Sequence, residues 1–283
     1  MNLKFFRAPD YNNFGDELNP YIFNHLFSEI FSLKKYAEFD FYGIGSIIDS
    51  RISADINAIL FGTGIRDITK SYVTKKWDVR FLRGPISSNV LGFRGEKYIA
   101  DAAYCMLCDE SLLPVCKKKR FKISIMPHYR QMDKLDWGII MKMAGVNIID
   151  PREPIEQILQ DIADSEKLLA IAMHGAIVAD ILRVPWQRIK MEAIGAEKQM
   201  ISDMKWLDFI SALDLKDNFV HIKNFDGVIK RTSPWFWITY YEIIRRIKAS
   251  KRNGKFQLST DKKLMEVKQK LDREINLFKI DYA

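Results

Sequence analysis

What most constrains this chain is an alternation. Short apolar runs take turns with helical patterns of about ten residues, and they do so in two separate stretches. In the first stretch, residues 3–8, 39–44, 58–61, 79–82 and 98–100 read as strands. Tyr21, Leu26, Phe27, Ile30 and Phe31 recur at helical spacing, and residues 85–91 make a short helical segment. Asn19 reads as the cap of the first helix, with Pro20 at its first position. Residues 112–121 then break the pattern with Pro114 and the run Lys117-Lys118-Lys119-Arg120, which reads as a solvated linker. The second stretch places strands at 122–126, 146–149, 168–172 and 189–193, and helices at 134–143, 154–162, 175–182 and 201–213. Strands alternating with helices imply βαβ units and parallel sheets. The expected fold class is therefore α/β, with two doubly wound domains at residues 1–113 and 121–215. Residues 216–283 follow as basic amphipathic and C-terminal helices.

Length and composition agree with this division. A chain of 283 residues suits two domains at roughly 150 residues each, and it can bury a core without disulfides or metal. An apolar fraction of 48% and a charged fraction of 28% exclude disorder. No apolar stretch is long enough to span a bilayer; the longest, 168–184, contains His174, Asp180 and Arg183. The N-terminus lacks a signal-peptide core and the chain has three Cys, so a cytoplasmic, reduced protein is expected. Cys105 and Cys108 form a C-x-x-C pair with no second pair and no nearby His, and read as small core residues.

In open parallel sheets, ligands lie beyond the carboxyl ends of the strands. Residues following the predicted strands are therefore the candidates. Tyr11-Asn12-Asn13-Phe14-Gly15-Asp16 follows the first strand, Gly62-Thr63-Gly64 the third, and Arg83-Gly84-Pro85 the fourth. In the second stretch, Pro127-His128-Tyr129-Arg130 and Met173-His174-Gly175 take the same place. Each has a plain alternative. Asp16 caps a helix, the two glycines permit a tight turn, Arg83 lies on the surface, and His174 is a buried, hydrogen-bonded histidine. Arg83, between an apolar strand and a helix-opening Gly-Pro, suits anion binding. No G-x-G-x-x-G, P-loop, G-x-S-x-G, H-E-x-x-H or zinc spacing occurs, and with four His no metal is expected.

Taken as a set, these residues resemble the polysaccharide pyruvyltransferase family. Asn13-Phe14-Gly15-Asp16, Gly62-Thr63-Gly64, Arg83 with Ser87 and Leu91, Asp101-Ala102, Pro127-His128 and Met173-His174-Gly175 occur in its order. Residues 173–180 and Lys205-Trp206-Leu207-Asp208-Phe209 look most like its bacterial exopolysaccharide branch. The resemblance, over roughly residues 5–210, implies a GT-B-like fold of two Rossmann-like domains with the site in the cleft. It also implies phosphoenolpyruvate as donor, a sugar diol of a glycan or lipid-linked glycan as acceptor, and no cofactor. Under that reading His174 and Asp16 are catalytic. Asn13, Gly15, Gly62, Gly64, Arg83, Ser87, His128, Arg130 and Gly175 bind substrate. The family often carries an Arg two residues before the motif His; here that position is Ala172, and Arg130 is the expected substitute.

Ketal formation protonates the methylene carbon of the enol phosphate, and a sugar hydroxyl attacks the resulting oxocarbenium. A protonated His suits the acid and a carboxylate the base. At a helix N-terminus His174 resists protonation, whereas a bound trianionic donor favours it. The alternative function is a GT-B glycosyltransferase using a nucleotide sugar, though no acidic pair suited to a ribose is visible.

The net charge is +8, and residues 221–256 hold nine Lys/Arg against two acids. Such a local excess points to an anionic surface. Residues 234–252 combine aromatics with Arg245, Arg246, Lys248, Lys251 and Arg252. Phe236, Tyr240, Ile243, Ile244 and Ile247 fall on one helical face. They suggest either an interfacial helix on an anionic membrane or a helix packed on the catalytic domains. Because the basic residues are not spread along a groove, nucleic acid is not an expected partner. Peripheral association at the inner face of the plasma membrane is expected. A last helix at 261–278, capped by Ser259/Thr260, reads as a packing helix.

Overall fold

The computed structural model describes residues 1–7, 11–50, 52–69, 72, 76–115, 118–191, 199–223 and 234–283, with only the backbone described at Gln199, Pro234 and Trp235. In chain order the strands are β1 (Asn2–Lys4), β2 (Phe39–Tyr42), β3 (Ser46–Ile48), β4 (Asn57–Phe61), β5 (Gly64–Ile65), β6 (Trp77–Phe81), β7 (Ser124–Met126), β8 (Asn147–Ile148), β9 (Leu168–Ala170), β10 (Trp186–Met191) and β11 (Phe219–Ile222). The helices are α1 (Phe14–Ser32), α2 (Pro85–Val90), α3 (Trp137–Ala144), α4 (Ile155–Ala163), α5 (Met173–Ile181), α6 (Gln199–Ala212), α7 (Pro234–Asn253) and α8 (Asp261–Tyr282). The architecture is α/β with parallel sheets. The expected strand ends at Ala8 and Ala193 lie outside the described residues, as do Cys116 and Lys117 of the basic linker.

Two compact units form, and the chain passes between them four times. Unit 1 comprises Met1–Leu113, Met200–Lys216 and Ser259–Ala283; unit 2 comprises Pro114–Gln199 and Asp217–Leu258. This corrects the expected domains at 121–215 and 216–283. Helix α6 belongs to unit 1, not to the second domain, and the terminal helices form no separate region. The reason is packing: each late helix buries its apolar face in a different core.

Unit 1 carries a parallel sheet in the order β1-β2-β4-β6, with the small parallel pair β3-β5 beside it. Its core is aromatic. Phe23, Phe27, Phe41 and Phe61 of α1, β2 and β4 cluster, with Phe23 edge to face on Phe41 and Phe27 on Phe61, and Phe278 of α8 inserts among them, 4.7 Å from Phe27 and 5.4 Å from Phe61. Val267, Leu271 and Ile275 of α8 are buried with it. Thr260 caps α8 by accepting from Lys263 N. Residues 98–100, expected as a strand, make only a bridge from Tyr98 to Leu82.

The first helix also departs from expectation. It begins at Phe14, with Asn13 at the cap position, so Pro20 sits inside it. A proline lacks the N–H that would bond the carbonyl four residues back, here Asp16 O. Asn19 Nδ2 donates to that carbonyl at 3.0 Å, and Asn19 Oδ1 accepts from Ile44 N at 2.7 Å. The buried Asn19 therefore repairs the helix and ties it to the sheet, rather than capping it.

Unit 2 carries a five-stranded parallel sheet in the order β11-β10-β9-β7-β8. Helices α3 and α7 close one core over it. Phe236, Tyr240, Ile243, Ile244 and Ile247 of α7 pack with Ile125, Ile140, Leu169 and Ile189. Of the two readings that the sequence left open for that row, a membrane face or a packing face, it is the packing face. The described basic residues of the linker, Lys118, Lys119 and Arg120, are exposed as expected, and Arg120 pairs with Asp161 and Asp164 while Lys119 Nζ donates to Ala163 O. Among the described residues, no helix is long and apolar enough to cross a membrane.

Candidate active site

In unit 1 the candidate residues collect at the carboxyl edge of the sheet, as their positions after β1, β4 and β6 require. Asn13, Gly15 and Asp16 open α1. Asn13 does not cap with its side chain; Nδ2 donates to Asp16 Oδ2 instead. Asp16 is 9% exposed. Burial pushes its carboxyl up to about 6, against the pull of the Asn13 hydrogen bond and of Lys205 and Arg66. A carboxyl with this value exchanges a proton near neutral pH. Lys205 and Arg66 are neighbours that the strand-end argument missed, because one lies on α6 and the other beyond β5.

Arg83, Ser87, Gly62 and Gly64 are placed close together at this edge, inside unit 1. Arg83 is fully buried, and Nε donates to the equally buried Asp208 at 3.1 Å. Arg83 Nη1 donates to Ser46 Oγ at 2.6 Å. A Cβ at Gly64 would lie 2.2 Å from this guanidinium, so the glycine is needed for the arginine to lie flat. Ser87 Oγ donates to Asp208 and accepts from Ile65 N at 2.9 Å. Gly62 has φ +84°, and a Cβ there would meet Ala102 and Phe81. Both side chains thus bond inside the unit, and Nη2 of the Arg83 guanidinium is buried without a hydrogen-bond partner among the described residues.

Asp208 is the residue that organises this cluster. Its Oδ1 accepts from Ile86 N at 2.9 Å and Ser87 N at 3.1 Å, capping α2 from another helix. Gly84, the cap position of α2, offers no side chain to do so. The sequence did carry a signal: an acid between Trp206 and Phe209 on an apolar helix face needs a buried partner. Asp101, also buried, accepts from Ala103 N at 3.0 Å; burial raises it to about 6 despite nearby Arg83.

In unit 2, β7 and β9 are neighbouring parallel strands, with Met126 opposite Ala170. His128 follows the first and His174 follows the second, so both lie at one sheet edge. His174 occupies the second position of α5 and is half-buried. Gly175 lets that helix approach β7: a Cβ there would sit 2.6 Å from Met126 Sδ. His128 caps a short helical turn, its Nδ1 accepting from Arg130 N at 3.3 Å while Gln131 Oε1 accepts from His128 N. Its ring lies 4.6 Å from that of Tyr129. Arg130 is exposed, and Nε donates to Tyr129 OH at 2.8 Å. The tyrosine thus holds the guanidinium at the same edge, as a fixed cation.

Burial pushes the thiols of Cys105 and Cys108 up, above the range in which a thiolate forms. Among the described residues no group of three or more His, Cys, Asp or Glu is arranged to hold a metal ion.

A family model described as polysaccharide pyruvyl transferase matches residues 3–186. The chain is 31% identical over 211 residues to the succinoglycan biosynthesis protein ExoV of Rhizobium meliloti (strain 1021). That alignment covers 72% of this chain and 62% of the relative, less than two thirds of the relative's length. No solved structure matches the chain. The family model covers well over half of the chain, from β1 to the start of β10, and the chain therefore belongs to the polysaccharide pyruvyl transferase family.

Proposed function

We propose that this protein is an enzyme that transfers pyruvate from phosphoenolpyruvate to a sugar diol of a cell-surface polysaccharide or its lipid-linked precursor. The product is a pyruvate ketal, and phosphate is released. The reading is supported above all by one observation: the family match spans both sheet edges at which His128, His174 and Asp16 collect. The GT-B-like fold belongs to the same reading.

In this mechanism an imidazolium protonates C3 of the donor, converting the methylene to a methyl and leaving C2 as an oxocarbenium. One sugar oxygen bonds to C2 and gives up its proton to a base. The C2–O bond to phosphate then breaks, and the second hydroxyl closes the ring, its proton passing to the imidazole that gave up the first. His174 is the acid and Asp16 the base; the value of about 6 for Asp16 suits a base working near neutral pH. Arg130, with the main-chain N–H groups at the start of α5, receives the donor's anionic groups. The scheme needs no cofactor.

The test is to incubate the protein with phosphoenolpyruvate and candidate lipid-linked glycans and follow phosphate. His174→Ala should remain folded and lose about a hundred- to ten-thousand-fold in turnover. A folded variant with near-normal turnover contradicts the assignment.

A further inference from the structure

Among the described residues, the packing above leaves the outer face of α7 without a partner. Its inner face is spent on the core of unit 2, where Tyr240 OH accepts from Asp136 N and the Phe236 and Tyr240 rings stack at 4.3 Å. On the opposite side Trp237 is 55% exposed, Ile238 48% and Tyr241 67%. Arg245, Lys248 and Arg252 follow on the solvent side. Positions 237, 241, 245, 248 and 252 are four, four, three and four residues apart, so they form one stripe about 22 Å long. The stripe is polarised, with apolar rings at the amino end and cations at the carboxyl end.

Charge is one-sided here. Glu242 is the only acid of α7, and it pairs with Arg245 and Arg246. Lys251 Nζ donates to Gly145 O. Among the described residues no acid pairs with Lys248 or Arg252. The neighbouring α3 adds exposed Met141, Lys142 and Met143. Contacts at both ends fix how the two helices run. Tyr240 meets the start of α3 at Asp136, and Lys251 meets its end at Gly145. The helices are therefore parallel. Since α3 links the parallel strands β7 and β8, it starts at the carboxyl edge of the sheet. The aromatic end of the stripe thus lies toward the edge that carries His128 and His174.

We propose that the outer face of α7 docks this protein on an anionic lipid bilayer, with Trp237, Ile238 and Tyr241 entering the headgroup layer and Lys248 and Arg252 meeting lipid phosphates. Trp and Tyr suit that layer, having an apolar body and a polar edge. An exposed isoleucine between them gains from acyl chains and nothing from nucleic-acid phosphates. A nucleic-acid groove would instead interleave cations with stacking rings. Contiguous exposure of three large apolar side chains beside unpaired cations is the pattern of an interaction surface. The inference is independent of the reaction proposed above. The docked face is the reverse of the one the sequence pattern suggested.

The test is co-sedimentation of the full chain with phosphatidylcholine vesicles, with and without phosphatidylglycerol, at low salt and at about 0.5 M salt. The wild type should pellet only with the anionic vesicles and only at low salt. Lys248→Gln/Arg252→Gln should lower partitioning about thirtyfold, taking the usual gain per cation near a charged surface. Trp237→Ser/Tyr241→Ser should lose binding and lose quenching of tryptophan fluorescence by brominated lipid. All of these side chains are exposed, so circular dichroism and melting should match the wild type. Wild type that stays in the supernatant at low salt overturns the proposal. So does either double variant binding as tightly as wild type, or duplex DNA being bound through the same residues while the vesicles are not.

Discussion

At the scale of single residues, Asp16 and Arg83 show how burial decides role. Both follow predicted strands, and both are polar residues against apolar neighbours. Asp16 keeps one hydrogen bond from Asn13 and a proton that leaves at about 6. Its folded-state value lies above its ordinary one, so the folded protein holds a proton the unfolded chain has lost between pH 4 and 6. Stability should therefore fall as pH rises through that window, by roughly 2–3 kcal/mol from this residue. Urea unfolding at pH 4 and pH 7 should show a smaller drop in Asp16→Asn than in wild type, with Asp101, raised in the same direction, still contributing. In the same variant the acid limb of kcat/KM, expected near pH 6, should vanish along with most of the turnover. An unchanged pH profile with full turnover would make Asp16 a structural acid. Arg83 has the opposite fate. Arg83→Ala leaves Asp208 buried and unpaired, a loss of roughly 3–5 kcal/mol. Arg83→Ala/Asp208→Asn removes the buried charge while keeping an acceptor for Ile86 N and Ser87 N, and should recover much of that in denaturant melts; an equally unstable double variant would contradict this account of the pair. The sequence placed Arg83 correctly after its strand and could not reveal its direction, because Asp208 lies 125 residues away on a helix assigned to the other domain.

At the scale of elements, close approach matters more than propensity. Helix α5 can present His174 at the edge of its sheet because Gly175 lets it rest on Met126. Gly175→Ala should overpack this contact, costing about 1–3 kcal/mol, and should lower turnover by moving His174. Met126→Ala in the same chain removes the clashing sulfur and should restore turnover relative to Gly175→Ala; no recovery would mean that the glycine acts otherwise. Most of the regular elements were legible in the sequence. The apolar runs at Asn57–Phe61 and Leu168–Ala170 and the periodic helices α4 and α8 fall close to their expected bounds. The start of α1 was not legible, because Pro20 looks like an opening residue and only Asn19 in three dimensions supplies the missing donor. Strand β11 was missed as well; its single fully buried residue, Ile222, leaves little pattern to read.

At the scale of the whole molecule, the four crossings between units make the chain's end part of its beginning. Helix α8 fills the aromatic core of unit 1 with Phe278 and three aliphatic side chains. Burying each is worth about 1.5–3 kcal/mol, so a chain stopped at Leu258 should lose the cooperative unfolding of unit 1. Calorimetry of the truncated chain against the full one checks this, and an unaltered transition would contradict it. The sequence suggested two α/β folds correctly because each strand-helix alternation is local. It misassigned α6 and the terminal helices because their destinations depend on contacts between distant segments. The candidate site was half legible for the same reason: positions after strands could be listed, whereas the exposure of each side chain depended on partners such as Asp208. The most direct test of the central claim is product analysis with ¹³C-labelled phosphoenolpyruvate and a glycan acceptor. The account predicts one ketal methyl group on the sugar for each phosphate released, with neither formed by His174→Ala. Phosphate release without a ketal on the glycan would contradict it.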